Sequence, residues 1–510
     1  MGGNMTDHIQ IMDTTLRDGE QTRGISFALQ EKLSIAKMLL GEVNVDRIEV
    51  ASARVSRGEL ETVKAITKWA GGEGLLERVE VLSFVNRESI DWANEAGCRT
   101  INILAKGSQK HCEHQLRKTP QQHFSDVAAV MDYASHNGIA VNVYLEDWSN
   151  GMKDSPQYVF DFVESLKATR LQRLLLPDTL GILAPLQLQN YLKEMARKIP
   201  LEKCDFHAHN DYGLATANSL IAAQEGIGGL HCTVNGLGER TGNAALAEVI
   251  AAVNDKAGRK CSADEAALQK ISVLLERFSG KKIPSNKPIV GEDVFTQTAG
   301  IHADGDAKGN LYVNPLTAER FGRKREYALG KLSGRASLEQ NLAALKMDLT
   351  PEQKKIILER VVMLGDKKET VTSEDLPFII ADVLNTPLEG RVKITECKIS
   401  SSLKGQPFAQ ISIILNGKQI SKSAQGNGCY DAFMNALVQA AKDAGVELPE
   451  LVDYEVRIPP GGKTDAIVET TITWKCSGKQ IVTTGIDSDQ VMAAIKATEK
   501  MLNRMLCKGK

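Results

Sequence analysis

The sequence predicts an α/β chain: a (β/α)8 barrel first, then helical linker subdomains, then a C-terminal α+β domain of two βββα units. Three observations carry this. Over the first 255 residues a short β-rich run, a turn and a longer helical pattern recur eight times. No GxGxxG follows the first strand, where an open dinucleotide-binding sheet would carry it. Near the C-terminus, Leu415-Asn-Gly-Lys-Gln-Ile420 is echoed by Cys476-Ser-Gly-Lys-Gln-Ile481, which marks an internal repeat.

Taken in order, the β-rich runs are Ile9 to Asp13, Arg47 to Ala51, Val79 to Phe84, Thr100 to Leu104, Ala140 to Glu146, Arg173 to Pro177, Asp205 to His209 and Gly229 to Asn235. Helical stretches follow them, such as Leu29 to Leu40, Thr119 to Asn137, Pro185 to Ile199 and Ala244 to Lys256. Eight strand–helix pairs within the roughly 250 residues typical of the fold favour a closed barrel. An open doubly wound sheet is the alternative. The barrel is placed at residues 1–280. Residues 281–390 form the linker subdomains, where helical stretches flank a polar segment containing Thr298 to Gly305 and Lys308 to Tyr312, which reads as a lid or second wall of a site. In the third domain, residues 391–510, strand-like runs precede each hairpin turn and a helix closes each unit, Tyr430 to Ala444 and Gln490 to Leu506. Asn416-Gly417 is a strong two-residue hairpin signal.

Composition narrows the function. With 62 Lys+Arg against 64 Asp+Glu, the charge gives no general attraction to nucleic acid or an anionic membrane, so a small-molecule partner is expected. The nine cysteines form no CxxC pair, which argues against a disulfide framework and for a reducing cytoplasm. No apolar run approaches the ~20 residues of a membrane helix.

In such a barrel the reactive groups gather at the C-terminal ends of the strands. Strand 1 runs into Arg17-Asp18-Gly19-Glu20, strand 5 ends in Tyr144 and Glu146, strand 6 in Asp178-Thr179, and strand 7 carries His207-Ala-His209. Two residues apart on a strand, His207 and His209 project from one face and reach one ion. Asp18 adds an anionic oxygen from strand 1, and Asn243 is a candidate fourth ligand. An Asp/His/His set suits Zn2+, Mn2+ or Mg2+ in a Lewis-acid role. The bland reading of the histidine pair, hydrogen bonding inside a core, is disfavoured by its company at the barrel mouth. Arg17 is read as a guanidinium facing an oxyanion rather than a surface partner of Glu20 or Asp18.

Asp13-Thr-Thr-Leu-Arg-Asp-Gly-Glu-Gln21, His207-Ala-His-Asn-Asp211 and Asn235-Gly-Leu-Gly-Glu-Arg-Thr-Gly-Asn243 resemble the signature segments of the isopropylmalate, homocitrate and citramalate synthases, the DRE-TIM metallolyase group. The resemblance extends over the whole chain. Within the group, Glu49-Val-Ala-Ser-Ala-Arg-Val-Ser56, Tyr144-Leu-Glu-Asp-Trp-Ser-Asn-Gly151 and Glu292 to Gly305 are most similar to the spirochaete-type citramalate synthases.

The resemblance implies a metal-dependent Claisen condensation of acetyl-CoA with a 2-oxo acid, pyruvate by preference, giving (R)-citramalate. Asp18, His207 and His209 would bind the metal. A carbon acid must lose a proton and its enolate must attack a polarised ketone, so Glu146 and His302 are the candidates for proton transfer and Tyr312 for orienting the base. Asp304, Asn310, Leu311 and Tyr312, by the same carry-over, enter the active site of a neighbouring subunit, which implies a homodimer. Leu82, Leu104 and Tyr144 would wall off the pyruvate methyl, and Thr179 joins the substrate-binding set. A methylene at such a wall is worth only ~1 to 3 kcal/mol of discrimination. In the third domain Tyr430, Asp431, Tyr454 and Ile458 are candidate contacts for an amino-acid effector, isoleucine or leucine. The rivals are 2-isopropylmalate synthase, a lyase of the same barrel group, and a non-catalytic amino-acid-binding regulator.

Overall fold

A computed structural model of the chain describes residues 7–345, 347–366, 371, 375–384, 392–415, 417–457, 468–476 and 479–506. The described residues fall into two compact units: residues up to Phe295 together with Asn314–Arg325, and Thr296–Val313 together with Glu326 onward.

The first unit is a closed barrel of eight parallel strands in sequence order: β1 (Gln10–Asp13), β2 (Arg47–Ser52), β3 (Val79–Ser83), β4 (Thr100–Lys106), β5 (Ala140–Glu146), β6 (Leu171–Asp178), β7 (Cys204–Ala208) and β8 (Gly229–Cys232). Parallel strands covered on both sides read as nearly continuous buried runs, and all five residues of β3 and of β7 are buried. The closing seam pairs β1 with β8, Gln10 opposite Gly229 and Asp13 opposite Cys232. One continuous core of Ile, Leu, Val and Ala side chains, with Phe162, Phe206 and Trp148, fills the space between strands and helices.

Two C-terminal strand ends of the barrel differ from the sequence expectation by more than one residue. β8 stops at Cys232 rather than Asn235 because Asn235 and Gly236 adopt positive φ, 59° and 75°, which turns the chain out of the strand. β4 runs on to Lys106, whose neighbour Gly107 donates its N–H to the Glu146 carbonyl at 2.6 Å. Asn314–Arg325 belongs to this unit through Arg320, which grips Asp255 at 2.8 Å and Glu265 at 2.6 Å, and through Phe321, buried in the barrel core.

The second unit begins with a short parallel pair, β9 (Thr296–Gln297) and β10 (Glu326–Tyr327), and the helix Gly300–Ala307. Helices Arg335–Ala344, Pro351–Asp366 and Leu376–Leu384 share a small core that includes Leu338, Ile357, Val361 and Leu376. Two three-stranded antiparallel sheets follow. The first is β11 (Lys393–Ser400), β12 (Phe408–Leu415) and β13 (Lys418–Gln425), closed by helix Cys429–Asp443; the second is β14 (Glu450–Arg457), β15 (Val468–Cys476) and β16 (Lys479–Asp487), closed by helix Gln490–Leu506. These are the two βββα units of the repeat. Alternate residues of β12, Ala409, Ile411, Ile413 and Leu415, are buried, as expected of strands with one covered face, and they meet Phe433 and Leu437 in a core shared with Trp474 and Met501.

Candidate active site

Past Asp13 the chain knots tightly. The N–H groups of Arg17, Asp18 and Gly19 all return to the Thr14 carbonyl, and Thr15 Oγ1 accepts from Val234 N at 2.8 Å. The knot fastens Arg17 and Asp18 to the end of β8. His207 lies on β7 and His209 one residue past it, held by a backbone bridge to Asn243. Asp18 Oδ2 stands 3.1 Å from His207 Nε2 and 3.8 Å from His209 Nε2. One ligand atom from each of the three side chains lies within 4.8 Å of the others, and all three are buried.

Asp18 Oδ2, Nδ1 of His207 and of His209, and Asn243 Oδ1 are buried without a hydrogen-bond partner. Buried polar atoms are normally paired, so an unpartnered Asp18 Oδ2 facing two imidazole Nε2 atoms fits a divalent-cation site. Their charge states agree. Burial works against the Asp18 carboxylate, but Arg17, His207 and His209 hold it well below the usual range. Burial also lowers His207, and pulls His209 down to about 4. At neutral pH the set is one carboxylate and two neutral imidazoles, the form that ligates a metal. Asn243 owes its place to Gly242, where φ is +84° and a Cβ would lie 1.8 Å from the Gly236 carbonyl oxygen.

Arg17 is a branch point. Its Nε donates to Glu49, its Nη2 to Tyr144 Oη at 3.2 Å, and its Nη1 lies 3.5 Å from Asp18. From there the contacts close a circuit through the barrel interior. Asn102 donates to Glu49 at 2.7 Å, and Asn142 donates to Asn102 at 2.9 Å and to Glu80 at 3.4 Å. Arg47 joins Glu80, at 3.1 Å, to Asp205; His231 meets Asp205 at 3.1 Å and Tyr144 Oη at 3.0 Å. Barrels usually fill this space with branched apolar side chains. Here a hydrogen-bonded polar circuit occupies it.

Beside this circuit Leu82, Tyr144 and Leu175 form an apolar cluster separate from the main core, with Leu104 packed against it. Leu82, Leu104 and Tyr144 are the wall residues that the sequence resemblance implies. Leu175, Glu49 and His231 had no site role there: Leu175 sits in an apolar run, Glu49 was only part of a matching segment, and His231 is a lone histidine.

Glu146, at the end of β5, is closed upon by Lys106. Thr179 Oγ1 accepts from Asp147 N at 2.9 Å, and its carbonyl accepts from Arg240 at 2.8 Å, so it ties neighbouring strand-end loops. In the second unit His302 and Tyr312 come together, their ring centroids 4.2 Å apart, with Gln297 Oε1 3.2 Å from His302 Nδ1. Asp304 pairs with Lys308 at 2.7 Å, Asn310 adopts positive φ, and Leu311 is 70% exposed. Tyr430 hydrogen-bonds Thr498 at 2.7 Å and packs on the Tyr454 ring, while Asp431 accepts from Asn427 N at 2.7 Å. Ile458 lies outside the described residues.

Residues 8–275 match the HMGL-like family, 289–369 the homocitrate synthase post-HMGL domain-like family and 370–506 the LeuA allosteric (dimerisation) domain. The chain is 34% identical over 502 residues to an (R)-citramalate synthase of Methanocaldococcus jannaschii, covering 98% of this chain and 99% of that one. It is 35% identical over 501 residues to an Archaeoglobus fulgidus protein provisionally named (R)-citramalate synthase, covering 98% and 99%. A 2-isopropylmalate synthase of M. jannaschii is 32% identical over 512 residues, covering 99% and 96%. Matched from end to end by such relatives, the chain belongs to the HMGL-like family, in the group that holds the (R)-citramalate and 2-isopropylmalate synthases.

Proposed function

We propose that the chain is an (R)-citramalate synthase, condensing acetyl-CoA with pyruvate and releasing CoA. The observation that carries this is the Leu82–Tyr144–Leu175 cluster, backed by Leu104, standing beside Arg17 and the Asp18–His207–His209 triad. A charged, ligand-rich side suits a 2-oxo acid's oxygens, and a wall of bulky apolar groups suits a methyl.

Asp18, His207, His209 and Asn243 would hold a divalent cation, Mg2+, Mn2+ or Zn2+, which when bound supplies Lewis-acid polarisation of the ketone. Arg17, preorganised by Glu49 and Tyr144, takes the negative charge that develops on the ketone oxygen. Glu146 and His302 are the proton-transfer groups, and Tyr312 orients the base or donates a hydrogen bond. The acetyl methyl gives up its proton to a base, the new carbon–carbon bond forms to the ketone carbon, the alkoxide is protonated, and water cleaves the thioester to free CoA and a carboxylate. Asp304, Asn310, Leu311 and Tyr312 belong, in this proposal, to an active site completed by a second copy of the chain. Thr179 helps bind the 2-oxo acid. The three domains are taken as residues 1–280, 281–390 and 391–510, the last a dimerising domain that binds an amino-acid effector through Tyr430, Asp431, Tyr454 and Ile458, isoleucine being the preferred effector. The cytoplasm is the proposed compartment. No helix among the described residues is long and apolar enough to cross a membrane.

The full-length relative named for 2-isopropylmalate synthesis favours that activity as the second reading. CoA thiol release from acetyl-CoA, followed with Mn2+ or Mg2+ and with pyruvate or 2-oxoisovalerate in parallel, separates the two. Turnover with pyruvate, lost on chelation, is the expected outcome. Preference for 2-oxoisovalerate would establish the second reading, and no turnover with any 2-oxo acid would sink both.

A further inference from the structure

The buried circuit behind Arg17 contains more than a salt-bridge network, because its hydrogens can be assigned. Asp205 accepts from Arg47 and from Arg173, the latter at 2.6 Å, and as a carboxylate it has no hydrogen to give. His231 Nε2, 3.1 Å from Asp205 Oδ2, must therefore carry the N–H. At the other end, a guanidinium only donates, so the Tyr144 oxygen accepts from Arg17 Nη2. The single phenolic hydrogen then needs an acceptor, and His231 Nδ1 lies 3.0 Å away. Asp205, His231 and Tyr144 are all buried, so an unmet donor or acceptor among them is costly.

We propose that His231 is a positioning residue of the reaction: held by Asp205 as the Nε2–H tautomer, it takes the Tyr144 hydroxyl hydrogen and leaves that oxygen free to hold Arg17. One side chain then serves two ends, since the Tyr144 hydroxyl fixes the guanidinium while its ring is part of the Leu82–Leu175 wall. Loosening Tyr144 disturbs turnover and size discrimination together. The kinetic consequence rests on the condensation reading; the direction of the hydrogen bonds does not.

The test uses the full-length chain as wild type, His231→Leu, Tyr144→Phe and the double variant, with folding checked by circular dichroism. Each single change is expected to lower kcat/KM for pyruvate roughly ten- to hundredfold and to raise the 2-oxoisovalerate-to-pyruvate ratio. The double variant is expected within about threefold of Tyr144→Phe, because His231 acts only through that hydroxyl. Losses that multiply, or a His231→Leu chain within threefold of wild type, would overturn the proposal. Nitrogen-15 spectra of histidine-labelled protein give a readout apart from activity. They should show His231 as the Nε2–H tautomer, with an Nδ1 resonance that moves in Tyr144→Phe. A hydrogen on Nδ1, or no movement, refutes the relay even if His231→Leu fails to fold. Wild-type protein that turns over no 2-oxo acid defeats the proposed activity alone, and the nitrogen spectra still decide the relay.

Discussion

Replacing Arg17 by lysine separates charge from geometry. Arginine at this position engages Glu49, Tyr144 and Asp18 at once through Nε, Nη2 and Nη1. An ammonium keeps the positive charge, so Glu49, whose side chain is fully buried, retains an ionic partner together with Asn102. What the ammonium lacks is the planar fork that reaches Tyr144 and the substrate oxygen from a fixed direction. The expected stability change is therefore small, a shift of a few degrees in Tm. The expected kinetic change is that of losing one preorganised oxyanion donor, about 2.7 to 4 kcal/mol or 10²- to 10³-fold in kcat. Steady-state CoA thiol release at saturating substrates measures this, with metal content and Tm determined on the same preparation. A kcat within threefold of wild type, or a loss confined to KM, would refute the reasoning, since it would show that the guanidinium binds ground state and transition state alike.

Metal content tests the triad directly: His209→Ala should lose the cation bound per chain by wild type. Mn2+ at a hundred times its Kd should stabilise wild type by ~2.7 kcal/mol and the variant not at all; equal stabilisation would remove His209 from the ligand set. Leu82→Ala should raise the 2-oxoisovalerate-to-pyruvate ratio of kcat/KM by about tenfold or more, at ~2 to 5 kcal/mol in stability, and an unchanged ratio would take Leu82 out of the pocket wall. His123 gives a pH prediction away from the triad. Its Nε2 accepts from Lys106 N at 3.0 Å, and burial, reinforced by Lys118, pulls its pKa to about 4 against the usual 6.5. Between these values the unfolded chain carries the proton and the folded chain does not, so stability falls as pH drops from 6.5 to 4, by ~3 kcal/mol in all. Urea unfolding of the chelated protein should show this slope together with that of His209, and His123→Gln should lessen it by about the ~3 kcal/mol assigned to His123; an unchanged slope would assign it elsewhere.

The eight strands were legible because parallel strands buried on both faces advertise themselves as short apolar runs between helices. The HxH pair was legible because a period of two places both rings on one face whatever the register. The polar circuit was not. Arg47, Glu80, Asn102, Asn142, Asp205 and His231 come from six strands, and nothing in one strand says which polar side chain of another it will meet. Tyr144 and His231 are 87 residues apart in sequence and meet only because the barrel closes. The same limit explains Leu175, indistinguishable by pattern from Leu174 and Leu176 beside it. It also explains Glu146, whose pairing with Lys106 depends on β4 running two residues beyond its expected end.

The return of residues 314–325 to the barrel has a consequence for how such chains can be reshuffled. The polypeptide crosses between its units three times, after Phe295, Val313 and Arg325. A single genetic crossover at the first of these would import a foreign tail and strip Asp255 and Glu265 of Arg320, while the cavity left by Phe321 would open in the barrel core. Terminal modules on a one-pass linker are inherited independently; here the barrel and the segment bearing His302 and Tyr312 are laced together. Working hybrids should arise from junctions beyond Arg325, so exchange of the C-terminal repeat is open to recombination while exchange of the His302–Tyr312 segment alone is not.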